Sequence, residues 1–254
     1  MSIRRFFINI AALAFALLAV HTSASAQQQP AQHSPSSSQQ SSQQPASSSQ
    51  QSSQQPAYDS WEDGFNGSAL DESKWERFSF EGAGGGKVEA RDGAIHIRST
   101  NGSRAGIRSR QEFSAEQFSV EAKVAGVGPQ ILNPGDNSAP LGFAALTILF
   151  DGSGRNRIEW ILTSEGTLEA WSVVDGRGEQ LRKLATKLKN PVLGLVRKGD
   201  DFLFVLNGPD SPPEAAQVGL KKTIKNLPHT FRVMLYGFGS SEDDWDAVRV
   251  VTLK

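Results

Sequence analysis

Apolar and polar residues alternate for seven positions in Phe118-Ser119-Val120-Glu121-Ala122-Lys123-Val124, and the same period of two returns along most of the chain beyond Tyr58. Successive side chains of an extended chain point to opposite faces, so each such run is a strand with one face in a core. Arg157-Ile158-Glu159-Trp160-Ile161-Leu162-Thr163 sets Ile158, Trp160 and Leu162 on one face, with Glu159 and Thr163 on the other. Ala94–Arg98, Arg104–Ser109, Leu168–Val174, Val192–Arg197, Phe202–Leu206, Phe231–Tyr236 and Ala247–Leu253 read the same way. Phe143–Phe150 is apolar on both faces, as a central strand covered on both sides would be.

Turn chemistry separates these runs. Arg91-Asp92-Gly93, Asn101-Gly102, Asp151-Gly152-Ser153-Gly154, Asp175-Gly176, Lys198-Gly199-Asp200 and Asn207-Gly208 each sit between two strand candidates. Asn, Asp and Gly tolerate the positive φ of tight hairpin turns. The best helical stretch is Arg182–Lys189, crowded with basic residues and followed closely by Pro191. Many short strands at close spacing, without crossover helices, predict an all-β antiparallel sandwich or barrel and exclude a parallel α/β domain.

The chain divides into three parts. In residues 1–26, Arg4 and Arg5 precede an apolar run of 15 residues, Phe6–Val20, and then Ala24-Ser25-Ala26. That order is a secretory signal peptide, with cleavage expected after Ala26; the run is short of the roughly 20 residues that span a bilayer. Residues 27–57 are Gln, Ser, Pro and Ala with a single His, too poor in apolar side chains to offset the entropy of ordering, and predict a disordered spacer. Residues 58–254 form the folded domain. Export to the periplasm or cell exterior follows, with no membrane span in the mature chain.

The chain has no cysteine, which removes disulfides, thiolate metal sites, cysteine nucleophiles and a lipid-modified cysteine anchor together. Its 26 basic and 27 acidic residues give a net charge of −1, so nothing draws it generally to nucleic acid. His96 and His229 are the only imidazoles of the domain, and no Gly-x-Ser-x-Gly elbow accompanies them. Gly82-Ala83-Gly84-Gly85-Gly86-Lys87 lacks the spacing of a phosphate loop, and Val88 replaces the required hydroxyl residue.

Asp63-Gly64-Phe65-Asn66-Gly67, Leu70-Asp71 and Lys74-Trp75 resemble the opening of concanavalin A-like lectin/glucanase domains. Lys87-Val88-Glu89 with Asp92-Gly93-Ala94-Ile95-His96-Ile97 is similar to the next hairpin of that family, and Trp245–Val250 to its closing strand. The resemblance spans residues 58–254. It implies a jelly-roll sandwich of two curved antiparallel sheets, a buried Trp75, and a last strand that returns to pair near the first.

Glycosidases of this family carry a Glu-x-Asp-x-x-Glu strand, whose alternation aims its carboxylates into a cleft. The local counterpart is Arg157–Leu162. With Glu159 in the middle place, Arg157 and Leu162 occupy the outer two; with Glu159 first, Ile161 and Ser164 do. Neither register supplies an acid and a nucleophile; Glu169, on the expected neighbouring strand, is in principle a partner for Glu159, although such cross-strand carboxylates are more often solvated surface residues. For ligand binding, Trp171 shares a mixed face with Glu169 and Val173, whereas Trp160 belongs to an apolar one. Trp171, Glu159, Glu169 and Arg108 are therefore the candidate surface for a polysaccharide or other glycan. The resemblance also implies a structural calcium where first and last strands meet, with Asp246 and Asp63 as ligands.

Three functions stay open at this stage: a secreted non-catalytic carbohydrate-binding or adhesion-like module, a glycan-active enzyme with an atypical carboxylate site, and an envelope protein without a sugar ligand.

Overall fold

Ile158, Trp160 and Leu162 point into a core enclosed between two antiparallel sheets, as their alternation requires. The computed structural model describes residues 58–80, 86–99, 103–128, 142–239 and 242–253. The expected signal peptide and spacer, the expected Asn101-Gly102 turn and the glycines at 82, 84 and 85 lie outside the described residues.

Sixteen strands, numbered in chain order, make up the described domain. The first sheet runs β14 (Gln217–Thr223), β13 (Asp201–Asn207), β12 (Val192–Lys198), β7 (Gln117–Val127), β16 (Glu242–Leu253), β4 (Ala94–Ser99) and β3 (Gly86–Arg91). β1 (Tyr58–Asp63) also pairs with β16 in this sheet, placing Asp63 opposite Val248, so the last strand does return to the first. The second sheet runs β11 (Arg177–Ala185), β10 (Thr167–Val174), β9 (Arg157–Thr163), β8 (Phe143–Leu149), β15 (Thr230–Gly239), β5 (Ser103–Ser109) and β2 (Trp75–Phe80). The short β6 (Phe113–Ser114) pairs with β15.

Two sheets face to face leave one apolar layer between them, and the large inward side chains fill it. Trp75, Trp160 and Trp245 are fully buried. Phe118 of the first sheet stacks on Phe231 of the second with ring centroids 4.0 Å apart. Buried indole N–H groups need acceptors. Trp160 donates Nε1–H to the Val205 carbonyl (2.9 Å), and Trp75 donates Nε1–H to Asp63 Oδ2 (2.9 Å). Each of these bonds ties one sheet to the other.

Asp92-Gly93 and Asp175-Gly176 form the predicted hairpins: all four residues have positive φ, between 53° and 80°, as two-residue turns matched to strand twist demand. The second of these hairpins turns the best helical candidate, Arg182–Lys189, partly into strand. Arg182–Ala185 continues β11, which pairs with β10 alone and is therefore an edge. Its basic residues keep that edge solvated and discourage pairing with another chain. β14, whose polar composition hides a period of two, is also an edge strand with largely exposed residues.

Candidate functional site

A strand that gives its even residues to the core gives its odd ones to the other face. On β9 these are Arg157, Glu159, Ile161 and Thr163; on β15 they are Arg232, Met234, Tyr236 and Phe238, turned about by the opposite phase. The outward face of the second sheet is not an ordinary wet surface. Ala145, Ile161, Met234 and Tyr236 form a buried apolar cluster there, with Phe78, Phe143, Trp171 and Phe238 packed half-buried around it. The two-sided apolar pattern of Phe143–Phe150 has this cause: Ala144, Leu146 and Ile148 enter the core, while Phe143 and Ala145 join the outer cluster.

Pairing registers align six residues of this face in one transverse row: Glu76, Arg108, Met234, Thr147, Glu159 and Trp171. The row brings together three of the four candidate ligand residues, and Glu169 lies two positions from Trp171 on the same face of β10. At the backbone, Arg108 and Glu159 are three strand spacings apart, or roughly 14 Å.

Glu159 is buried rather than solvated, with 5% exposure. Its Oε1 accepts from Arg157 Nε (2.9 Å) and from the Tyr236 hydroxyl (2.7 Å). Burial, reinforced by the adjacent Glu159 charge, raises the Tyr236 phenol well above its ordinary pKa and keeps it a neutral donor. Gly106 permits this packing, since a Cβ there would lie 2.6 Å from Cβ of Tyr236. Glu169 pairs with Lys183 (3.1 Å) and accepts from Trp171 Nε1 (2.9 Å). Partial burial acts against its charged form, but the bonds from Trp171 and Lys183 outweigh it and hold its pKa below the ordinary value.

At the other side of the face Glu76 accepts from Arg108 Nε (2.7 Å) and from Arg232 Nη1 (3.3 Å), and the bond from Arg108 lowers its pKa. The Arg104 guanidinium lies 5.6 Å from the ring centroid of Tyr236 and 5.3 Å from that of Phe238.

The arrangement bears on hydrolysis directly. Same-face neighbours of Glu159 along β9 are Arg157 and Ile161, while Leu162 turns into the core. Neither is a carboxylate. Tyr236, Trp75 and Phe150 are buried; among the described residues Trp171, Phe143, Phe238 and Phe78 are the half-buried aromatics of the face. Tyr236 and Arg157 as partners of Glu159 were not legible in the sequence beyond the adjacency of Arg157 on the strand.

Asp63 and Asp246 do not build a calcium site as placed. Asp63 accepts from Trp75 Nε1 through Oδ2 and from the Phe65 amide through Oδ1 (2.9 Å), while Asp246 pairs with Lys123 (2.9 Å). Calcium wants six to eight oxygen ligands, and among the described residues no group of three or more His, Asp or Glu could hold a metal. His96 is spoken for by Asp244, with Nδ1 2.7 Å from its carboxylate.

This architecture has clear structural counterparts. The chain is similar to the Ca²⁺-bound exoplasmic/lumenal domain of VIP36, with a TM-score of 0.54, 12% identity, and coverage of 77% of this chain and 90% of that one. It is similar to a lichenase derived from a mouse hindgut metagenome (TM-score 0.53, 13% identity, 75% and 98% covered). A Bacillus licheniformis β-glucanase gives a TM-score of 0.52 at 10% identity, with 75% and 97% covered. The fold is that of the concanavalin A-like lectins and glucanases. No family model and no curated protein matches the sequence. At such low identities the concanavalin A-like likeness establishes architecture, and the side chains on the outward face must carry any statement about activity.

Proposed function

We propose that the protein is an exported, non-catalytic carbohydrate-binding module that holds a glycan on the outward face of its second sheet. The observation that carries this reading is the row of half-buried aromatics and ion-paired charges around Trp171, Glu159 and Tyr236. Pyranose faces are weakly apolar and their rims carry hydroxyls, so they suit an aromatic ring flanked by fixed hydrogen-bonding groups. Trp171 is the ring, pinned by its own bond to Glu169; Arg108 and the two carboxylates are the polar contacts. The fold is shared with lectins and glucanases, which makes a glycan the ligand class to test first.

Retaining hydrolysis needs two carboxyl groups about 5 Å apart. The neighbours of Glu159 on its strand are a guanidinium and an isoleucine, which favours binding over cleavage. The leader-like segment and Gln/Ser-rich spacer support a domain exported to the periplasm or cell exterior and held at a distance from its point of attachment or its partner.

The test is a glycan array with wild type and Trp171→Ala, followed by titration calorimetry on the best binder. Binding that falls at least about tenfold in the variant, with the melting transition retained, supports the reading. A wild-type protein that binds no glycan overturns it. Release of reducing sugar that disappears in Glu159→Gln would establish the enzyme instead.

A further inference from the structure

Positive charge is concentrated at one end of the outward face in a chain whose overall balance is −1. Arg104, Arg108 and Arg157 line a cavity of about 220 Å³ together with Ser153 and Met234. Arg232 adjoins it along β15 and shares Glu76 with Arg108. Arg108, Arg157 and Arg232 thus share two carboxylates, Glu76 and Glu159, so that the guanidinium groups outnumber the carboxylates they pair with on a partly buried surface.

The carboxylates orient these arginines without enclosing them. Glu76 engages Arg108 through Nε, so that bond leaves both terminal amino groups of Arg108 uncommitted to it. Glu159 likewise takes Nε of Arg157, whose Nη1 donates to the Gly154 carbonyl at 2.6 Å. Arg104 is laid against the rings of Tyr236 and Phe238, with Phe143 beyond them at 5.2 Å from Phe238. Guanidinium groups that are preset by ion pairs and ring contacts lose little freedom on gripping a planar anion, and a carboxylate matches their fork.

We propose that this cavity receives the carboxylate of a hexuronate residue, so that the glycan held by the face is an acidic polysaccharide. Arg108 and Arg157 flank the carboxylate, and the ring of the acidic sugar extends toward the aromatic residues of the same face. This inference rests on the carbohydrate-binding reading and narrows its ligand class. A neutral glycan would bury the excess charge without an anion to meet it, which costs free energy at a half-desolvated site.

The experiment uses galacturonate, glucuronate and mannuronate oligosaccharides, each beside its carboxyl-reduced counterpart, with a sulfated galactan as a third arm. Titration calorimetry on the unaltered protein is expected to show binding to at least one hexuronate series. That binding should fall about tenfold to a hundredfold on carboxyl reduction and weaken as salt is raised. Arg108→Gln should reproduce the loss in a protein that still melts cooperatively, and the carboxyl-reduced ligands give the same answer without any variant. Equal affinity for reduced and unreduced oligomers overturns the acidic-ligand inference while leaving the glycan reading intact. Binding to the sulfated galactan alone also overturns it. Failure to bind any glycan, acidic or neutral, removes both.

Discussion

Tyr236 and Glu159 are hydrogen-bonded at 2.7 Å although they are 77 residues apart and a whole strand, β8, lies between theirs. Tyr236 sits opposite Ala145, and Glu159 opposite Thr147, so the phenol reaches diagonally over β8. The small side chain of Ala145 leaves that path clear. The bond fixes the one buried carboxylate of the outward face.

Tyr236→Phe removes the hydroxyl and keeps the ring. The buried carboxylate then loses one of its two donors on Oε1, and a hydrogen bond to a charged group contributes about 1–3 kcal/mol. Denaturant unfolding should show a loss of that size with an unchanged slope. A variant as stable as wild type would mean that Arg157 alone satisfies Glu159.

Glu121 makes stability depend on pH. It is fully buried on the outer face of the first sheet, opposite Arg249, and neither of its oxygens has a hydrogen-bond partner among the described residues. Burial raises its pKa from the ordinary 4.5 to about 8, against the smaller opposing effect of Arg249. The native state therefore holds a proton that the unfolded chain releases, and stability falls as pH rises from about 4.5 to about 8, then levels off. Glu121→Gln should be the more stable protein at the alkaline end, by on the order of a few kcal/mol, and should lose this pH slope. Unfolding midpoints across that range decide it; parallel curves for both proteins would refute it.

Arg197 is a buried cation that closes one end of the sandwich. It donates to the carbonyls of Gly199, Leu227 and Pro228 and lies against the rings of Phe150 and Phe202, at 5.4 and 5.3 Å from their centroids. Arg197→Met keeps some volume but strands three acceptors. We expect a loss of about 3–5 kcal/mol, read as a marked fall in the melting temperature.

Asp63 acts as an acceptor for the Trp75 indole and the Phe65 amide. Asp63→Ala should cost about 1–3 kcal/mol through the unpaired indole N–H, whereas Asp63→Asn, which retains an acceptor oxygen, should cost less. A chelator should leave the wild-type melting transition where it is. A downward shift on chelation, restored by calcium, would show that the ion binds here after all.

The sequence by itself determined the strands and their faces. Alternation at Ile158-Glu159-Trp160 separates core from exterior because side chains of an extended chain must diverge, and Asp-Gly pairs set hairpins because few residues accept positive φ. It also placed Trp171, Glu159 and Glu169 on one outward face, and Arg108 opposite Ile107. It left the strand over Arg182–Ala185 unread, since an exposed edge strand has no buried face to impose a period of two. What only tertiary structure decided was register and company. Glu76, Arg108, Glu159 and Trp171 come from four different strands, and no local rule states which residues of non-adjacent segments will line up. Nor could periodicity reveal that the outward face of the second sheet is itself partly buried, for that depends on aromatic side chains from several strands converging over Tyr236. Local pattern follows from backbone geometry and is written residue by residue; a site assembled across a sheet follows from the pairing of distant strands, which the whole core selects at once.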